Sequence, residues 1–163
     1  MSGSGLVAQR RSAVEVAFKI PESVLVVIYT PALRTLLLER VEQPAFWQSV
    51  TGSLAEPGEP LAAACAREVQ EETGWQAAAC DFDDWGIENE FAIYRQWLHR
   101  YAPGVTRNRE HVFGLRVAQT FEARLSPREH TRWQWLPWRE AADACFSWTN
   151  AKAIRMLAER PSR

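Results

Sequence analysis

Residues 23–30, Ser-Val-Leu-Val-Val-Ile-Tyr-Thr, are apolar or β-branched almost throughout. An unbroken run of this kind predicts a strand buried on both faces, and Pro31 ends it. Residues 35–39 read as its neighbour, and 46–51 form a third short extended run. Gly52, Pro57, Gly58 and Pro60 then punctuate a loop. From 61 to 73 the residues are strong helix formers, with Pro60 suited to the first turn and Gly74 to the stop.

The second half is richer in strand-like patterns. Residues 91–101, 110–118 and 132–136 each predict a strand, with Ala102-Pro103-Gly104 and Ser126-Pro127 in the connections. Residues 140–145 are weakly helical, and 150–159 carry Ala151, Ile154, Leu157 and Ala158 at helical spacing. Strands with helices set among them predict an α/β fold, a sandwich with a mixed sheet. Residues 1–17 mix Gly, Ser and the basic pair Arg10-Arg11 without a sustained period, which predicts a mobile arm ahead of a single domain over 18–163.

Composition narrows the classes. Lys and Arg total 19 against 20 Asp and Glu, so no global field draws the chain to nucleic acid or an anionic membrane. The three cysteines lie far apart, which fits reduced, buried thiols in a reducing compartment rather than a disulfide framework. No apolar run approaches the roughly 18 residues of a membrane span, and the start lacks the order of a signal peptide. The expectation is a cytoplasmic protein with no membrane or nucleic-acid partner.

The candidate chemistry lies on the 61–73 helix. At about 100° per residue, Leu61, Cys65, Glu68 and Glu72 share one stripe, with Glu71 one step aside. Carboxylates continuing an apolar face at i, i+3 and i+4 repel one another unless a cation sits among them. A hard divalent ion answers that need, and Mg²⁺ accepts a few carboxylates plus substrate phosphates. Arg67 stands four residues before Glu71, close enough to pair with it.

The segment Gly52, Glu59, Arg67-Glu68-Val69-Gln70-Glu71-Glu72-Thr73-Gly74-Trp75 resembles the signature of the Nudix hydrolases. In that family a Gly, five residues, a Glu, seven residues and R-E-U-x-E-E-x-G-U form a loop-helix-loop around catalytic magnesium. Here six residues separate Gly52 from Glu59, and Trp75 fills the final aliphatic position. The resemblance implies the Nudix fold, an α/β/α sandwich with a mixed sheet, and Mg²⁺-dependent cleavage of a phosphoanhydride.

Three further stretches resemble the bacterial dihydroneopterin triphosphate diphosphatases of folate synthesis. They are Phe46-Trp47-Gln48-Ser49-Val50-Thr51-Gly52-Ser53, His99-Arg100-Tyr101-Ala102-Pro103-Gly104-Val105-Thr106-Arg107-Asn108 and Ser147-Trp148-Thr149-Asn150. This likeness implies a pterin triphosphate substrate, cut to monophosphate and pyrophosphate. It also implies Glu68, Glu72 and Glu129 as metal ligands, and Lys19, Arg40, Thr51, Ala92, Ile93, Tyr94, Arg95 and Ser147 as substrate contacts. Glu71, Glu72 and Arg67 are the catalytic candidates, with Glu71 or Glu72 as the base.

Lys19 and Arg40 are suitable counter-charges for a triphosphate. Most of the eight tryptophans are expected in the core, with Trp47 and Trp148, beside the matched stretches, the two to test against the ring. His99, His111 and His130 are expected to be structural or exposed, since no second His or Cys lies at metal spacing. The basic stretch 106–109 fits a phosphate contact or a solvated turn equally well. The alternatives are a Nudix enzyme acting on nucleoside triphosphates, dinucleoside polyphosphates or capped RNA, and a binding module without catalysis. The latter should lack box acids, whereas Glu68, Glu71 and Glu72 are all present.

Overall fold

The computed structural model describes residues 17–160. The expected mobile arm therefore lies outside the described residues apart from Ala17. Among the described residues, pairing starts at Lys19, which bridges Tyr101 in parallel and donates its backbone N–H to the Arg100 carbonyl at 2.8 Å.

Strand β1 (Glu22–Tyr29) is buried at six successive positions, as a two-faced apolar run requires. It pairs antiparallel with β2 (Arg34–Arg40) and with β4 (Val50–Ser53), and in parallel with β6 (Arg107–Arg116). The third predicted run is split: β3 (Trp47–Gln48) pairs antiparallel with β2, whereas β4 pairs with β1. Strand β7 (His130–Pro137) lies on β2, and β5 (Phe82–Ala92) closes the far edge on β6. The sheet is mixed, since the β1–β6 pair is parallel among antiparallel neighbours.

Side-chain alternation along β1 builds two cores. Val24, Val26 and Ile28 face α1 (Leu61–Thr73) and meet its Ala64, Cys65 and Val69. Leu25 and Val27 face the other way, against Ala141 and Ala142 of α2 (Trp138–Ala144) and Ala153 and Ile154 of α3 (Trp148–Arg155). The result is an α/β/α sandwich. Each fully buried Leu, Ile or Val contributes about 1.5–3 kcal/mol relative to an exposed one, so this double-sided sheet is the main source of stability. None of the helices formed by the described residues is long and apolar enough to cross a membrane.

Helix α1 begins after Pro60 and ends at Gly74, whose φ of 75° is the left-handed value that a Gly stop supplies. Three expectations change. Residues 91–101 are not one strand: β5 ends at Ala92, and Arg95–Arg100 wind into a 3₁₀ helix. The basic stretch 106–109 is no turn, because Arg107 opens β6. Cys80 is exposed rather than buried, while Cys65 is sealed in the core.

Candidate active site

The turn from β4 into α1 shapes the site. Gly52 sits on β4 opposite Val24, and a Cβ built on it would fall 1.9 Å from Glu68 Cδ. Only a residue without a side chain leaves room for the Glu68 carboxyl there. Arg67 anchors the loop: its guanidinium donates to both Glu59 carboxylate oxygens at 3.0 Å, to the Ser53 carbonyl at 3.1 Å and to Glu68 Oε1 at 2.6 Å. Glu59 also accepts the Ala55 N–H at 2.7 Å, so the longer loop closes on an ion pair. The expected Arg67–Glu71 pair is present but longer, at 3.6 Å. Arg67 is absent from the cavity wall, and its contacts mark it as a positioning residue.

Above this loop opens a cavity of about 790 Å³. Glu68, Glu71 and Glu72 project into it from α1, and Glu129 from the connection before β7. Glu72 is 3% exposed, accepts a hydrogen bond from the Thr51 backbone and leaves Oε2 with no partner. Burial, then the charges of Glu68 and Glu129, raise its pKa well above the carboxylate range. Burial likewise raises Glu68 to about 7 against the opposing pull of Arg67.

One ligand atom each from Glu72, Glu129 and His130 lie within 4.8 Å of one another. His130, expected to be structural, thus stands in the acid group. Its ring is buried, Nδ1 lacks a partner, and burial together with the nearby Arg40 charge lowers its pKa to about 4, so it is neutral. Mutually repelling buried carboxylates and an unpartnered oxygen fit a divalent cation.

Positive groups ring the same space. Lys19, Arg40, Arg100 and Arg128 line it. Arg40 bonds Glu42 at 2.8 Å and lies 4.8 Å over the Trp97 ring, while Arg100 pairs with the same Glu42. The Lys19 ammonium has its pKa lowered by burial and by Arg100, with Glu68 and Glu129 pulling the other way. Although much of Lys19 is open to solvent, its charged end is thus close to both acids.

Thr51, Ala92, Ile93, Tyr94 and Ser147 all border the cavity, whereas Arg95, exposed at the start of the 3₁₀ helix, lies off its wall. Ser147 also caps α3, accepting the Asn150 N–H at 3.4 Å. Aromatic rings cover one side: Tyr94 and Trp97 meet at 5.3 Å and Tyr94 and Phe146 at 5.8 Å. Trp148 is 55% exposed beside them, while Trp47 is half-buried off the wall. Sequence reasoning also missed Glu110, Asn108 and Glu42. Asn108 ends one of the matched stretches and Glu110 lies just beyond it, and only the pairing of β6 with β5 and β1 turns both inward.

A comparison with known families matches residues 19–157 to the NUDIX domain. The chain belongs to the Nudix family. This Nudix chain is 44% identical over 143 residues to a dihydroneopterin triphosphate diphosphatase of Escherichia coli, spanning 86% of the chain and 93% of that protein. It is 36% identical over 141 residues to the diphosphatase of the same name from Haemophilus influenzae, spanning 85% of the chain and 87% of the relative. Its fold superposes on the structure of the E. coli dihydroneopterin triphosphate pyrophosphohydrolase with a TM-score of 0.78 at 42% identity, covering 85% and 95% of the two chains. The longer loop and Trp75 are thus variations inside the family. Trp75 stacks on Phe121 at 4.4 Å and serves the core.

Proposed function

We propose that this Nudix hydrolase converts dihydroneopterin triphosphate to dihydroneopterin monophosphate and pyrophosphate with Mg²⁺. The single observation that carries the reading is 44% identity to an enzyme of that name along nearly its whole length. The cavity supports it by joining an acid cluster to a recess walled by aromatic and polar groups, as a triphosphate with a flat ring demands.

Glu68, Glu72 and Glu129 would hold the magnesium, with His130 alongside. When bound, the ion neutralises phosphate charge and activates water. Gly52 and Arg67 hold Glu68 in place, and Thr51 holds Glu72 through its backbone. Lys19, Arg40 and Arg128 bind the nonbridging phosphate oxygens, and Glu42 fixes the guanidinium of Arg40 so that little freedom is lost on binding. Glu71, with 58% of its side chain exposed, is the carboxylate of α1 most open to solvent water, and it takes the proton from the attacking water. Glu72, sunk in the floor, serves as ligand. The catalytic domain spans 18–163, the partner is a small molecule rather than nucleic acid, and the setting is cytoplasmic folate synthesis.

The test incubates the protein and MgCl₂ with dihydroneopterin triphosphate and follows pyrophosphate, orthophosphate and pterin monophosphate separately. Pyrophosphate and monophosphate appearing in equal amounts is the expected result. Stepwise release of orthophosphate, or no turnover, contradicts the reading.

A further inference from the structure

The cavity continues into a polar row that the acid cluster leaves unused. Ser23 on β1 and Asn89 on β5 flank Glu110 on β6 in register, so the three side chains share one face of the sheet. Asn108, two residues earlier, shares that face too, and Thr149 of α3 closes over it. Farther along the same face stand Leu25, Val27 and Val112, in the apolar core under α3. A buried polar row where the pattern calls for apolar residues is costly unless its groups are paired.

They are paired only in part. Glu110 is 3% exposed and hydrogen-bonds with Thr149 and Asn89, yet its Oε1 has no partner. Asn108 spends its amide N–H on Ser23 Oγ at 2.7 Å and leaves its carbonyl oxygen bare. Both open atoms are acceptors, and both residues line the cavity. This end of the cavity therefore calls for a ligand that presents hydrogen-bond donors. The neighbouring wall, with Ile93, Tyr94, Phe146 and Trp148, suits a flat ring.

We propose that Glu110, with Asn108 beside it, is the specificity-determining residue that binds the donor edge of the substrate's heterocycle, the adjacent amine and ring N–H of a 2-aminopyrimidinone. The two open acceptors, Glu110 Oε1 and Asn108 Oδ1, offer one partner to each N–H of such an edge. Burial lifts Glu110 to about 7 and His111 draws it down, so paired donors favour its ionised form. This inference deepens the pterin reading and rests on it for the ring's identity. The guanine ring, however, carries the same donor edge, whereas adenine lacks the adjacent pair.

The experiment measures kcat/KM for dihydroneopterin triphosphate, GTP and ATP at saturating Mg²⁺ in the wild type, Glu110→Gln and Thr149→Val. Gln replaces one acceptor oxygen by a donor that opposes the ligand's own. Glu110→Gln is expected to lower the dihydroneopterin triphosphate to ATP ratio at least about tenfold and the GTP to ATP ratio in the same direction, with Thr149→Val giving a smaller fall. Unchanged ratios, whether from equal loss on all substrates or from no loss, overturn the assignment. If Glu110→Gln fails to fold, the ratios of Thr149→Val decide in the same way. A wild type that prefers GTP over the pterin, with Glu110→Gln lowering the GTP to ATP ratio, refutes the pterin reading and still supports Glu110.

Discussion

Gly52→Ala probes how tightly the loop and helix are fitted. The new methyl would stand 1.9 Å from Glu68 Cδ and 2.2 and 2.3 Å from its two oxygens, where about 3.5 Å or more is needed. The φ of Gly52 is not among the chain's positive values, so the backbone accepts Ala and the whole cost comes from that contact. The Glu68 carboxyl must swing away and lose its 2.6 Å bond to Arg67, a charged hydrogen bond of about 1.5–3 kcal/mol. With overpacking of about 1–3 kcal/mol, the total loss is about 2–4 kcal/mol after partial relaxation, a thermal midpoint roughly 5–15 °C lower. If Glu68 holds the metal, kcat falls at least about a hundredfold as well. The decisive assay is a double-mutant cycle with Glu68→Ala, followed by thermal unfolding and by kcat. With no carboxylate left to displace, the methyl should then cost little, giving a coupling of at least about 1 kcal/mol. Additive effects would show that Gly52 and Glu68 do not share this space.

Other expectations follow from the same site. Glu72→Gln should lower kcat by about a hundredfold or more while raising the thermal midpoint in EDTA, because a buried carboxylate repelled by Glu68 and Glu129 has lost its charge. A lower midpoint in EDTA would refute that repulsion. Glu129→Gln should raise the Mg²⁺ concentration needed for half-maximal rate, whereas Glu122→Gln on the same connection should not; equal effects would remove Glu129 from the site. Away from the site, Glu39 accepts from Arg132 and from the Ala45 N–H at 2.8 Å, which lowers its pKa from 4.5 to about 2. A depressed carboxylate stabilises the fold fully above its unfolded value and loses that contribution as pH falls toward the folded one. The midpoint gap between wild type and Glu39→Gln should therefore be wide at pH 6 and shrink steadily between about pH 4.5 and 2, and a constant gap would contradict the assignment.

Much of the scaffold was legible because local signals agreed with the tertiary ones. Helix α1 ends where Pro60 and Gly74 place its boundaries, and β1 is buried on both faces as its composition demands. Strand β5 was not legible. It lies at the sheet edge, where Asp84, Glu88 and Glu90 face solvent, and its pairing register shifts between Asp84 and Ile87 around Gly86 at φ 67°. Both features erase a clean alternation. Residues 91–101 looked like a strand because of their aromatic rings, yet Tyr94 and Trp97 pack on Phe146 from another part of the chain.

The same division holds at the site. Glu68, Glu71 and Glu72 were readable from helical spacing, since one helix supplies them all. His130 and Glu110 were not, because each acquires its role only through strands brought from elsewhere: β7 beside β2, and β6 between β1 and β5. Arg67 was visible as a candidate, but only its contacts show that it ties Glu59 and the Ser53 carbonyl to Glu68 without itself lining the cavity.

The central claim is a substrate preference, and internal competition measures it most directly. Equal concentrations of dihydroneopterin triphosphate, GTP, ATP and diadenosine tetraphosphate, offered together with Mg²⁺, give the ratios of kcat/KM from the rates at which each disappears. The account predicts that dihydroneopterin triphosphate is consumed at least about ten times faster than any of the others, a difference of about 1.4 kcal/mol in transition-state binding. Faster consumption of a nucleotide or of the dinucleoside polyphosphate would contradict it.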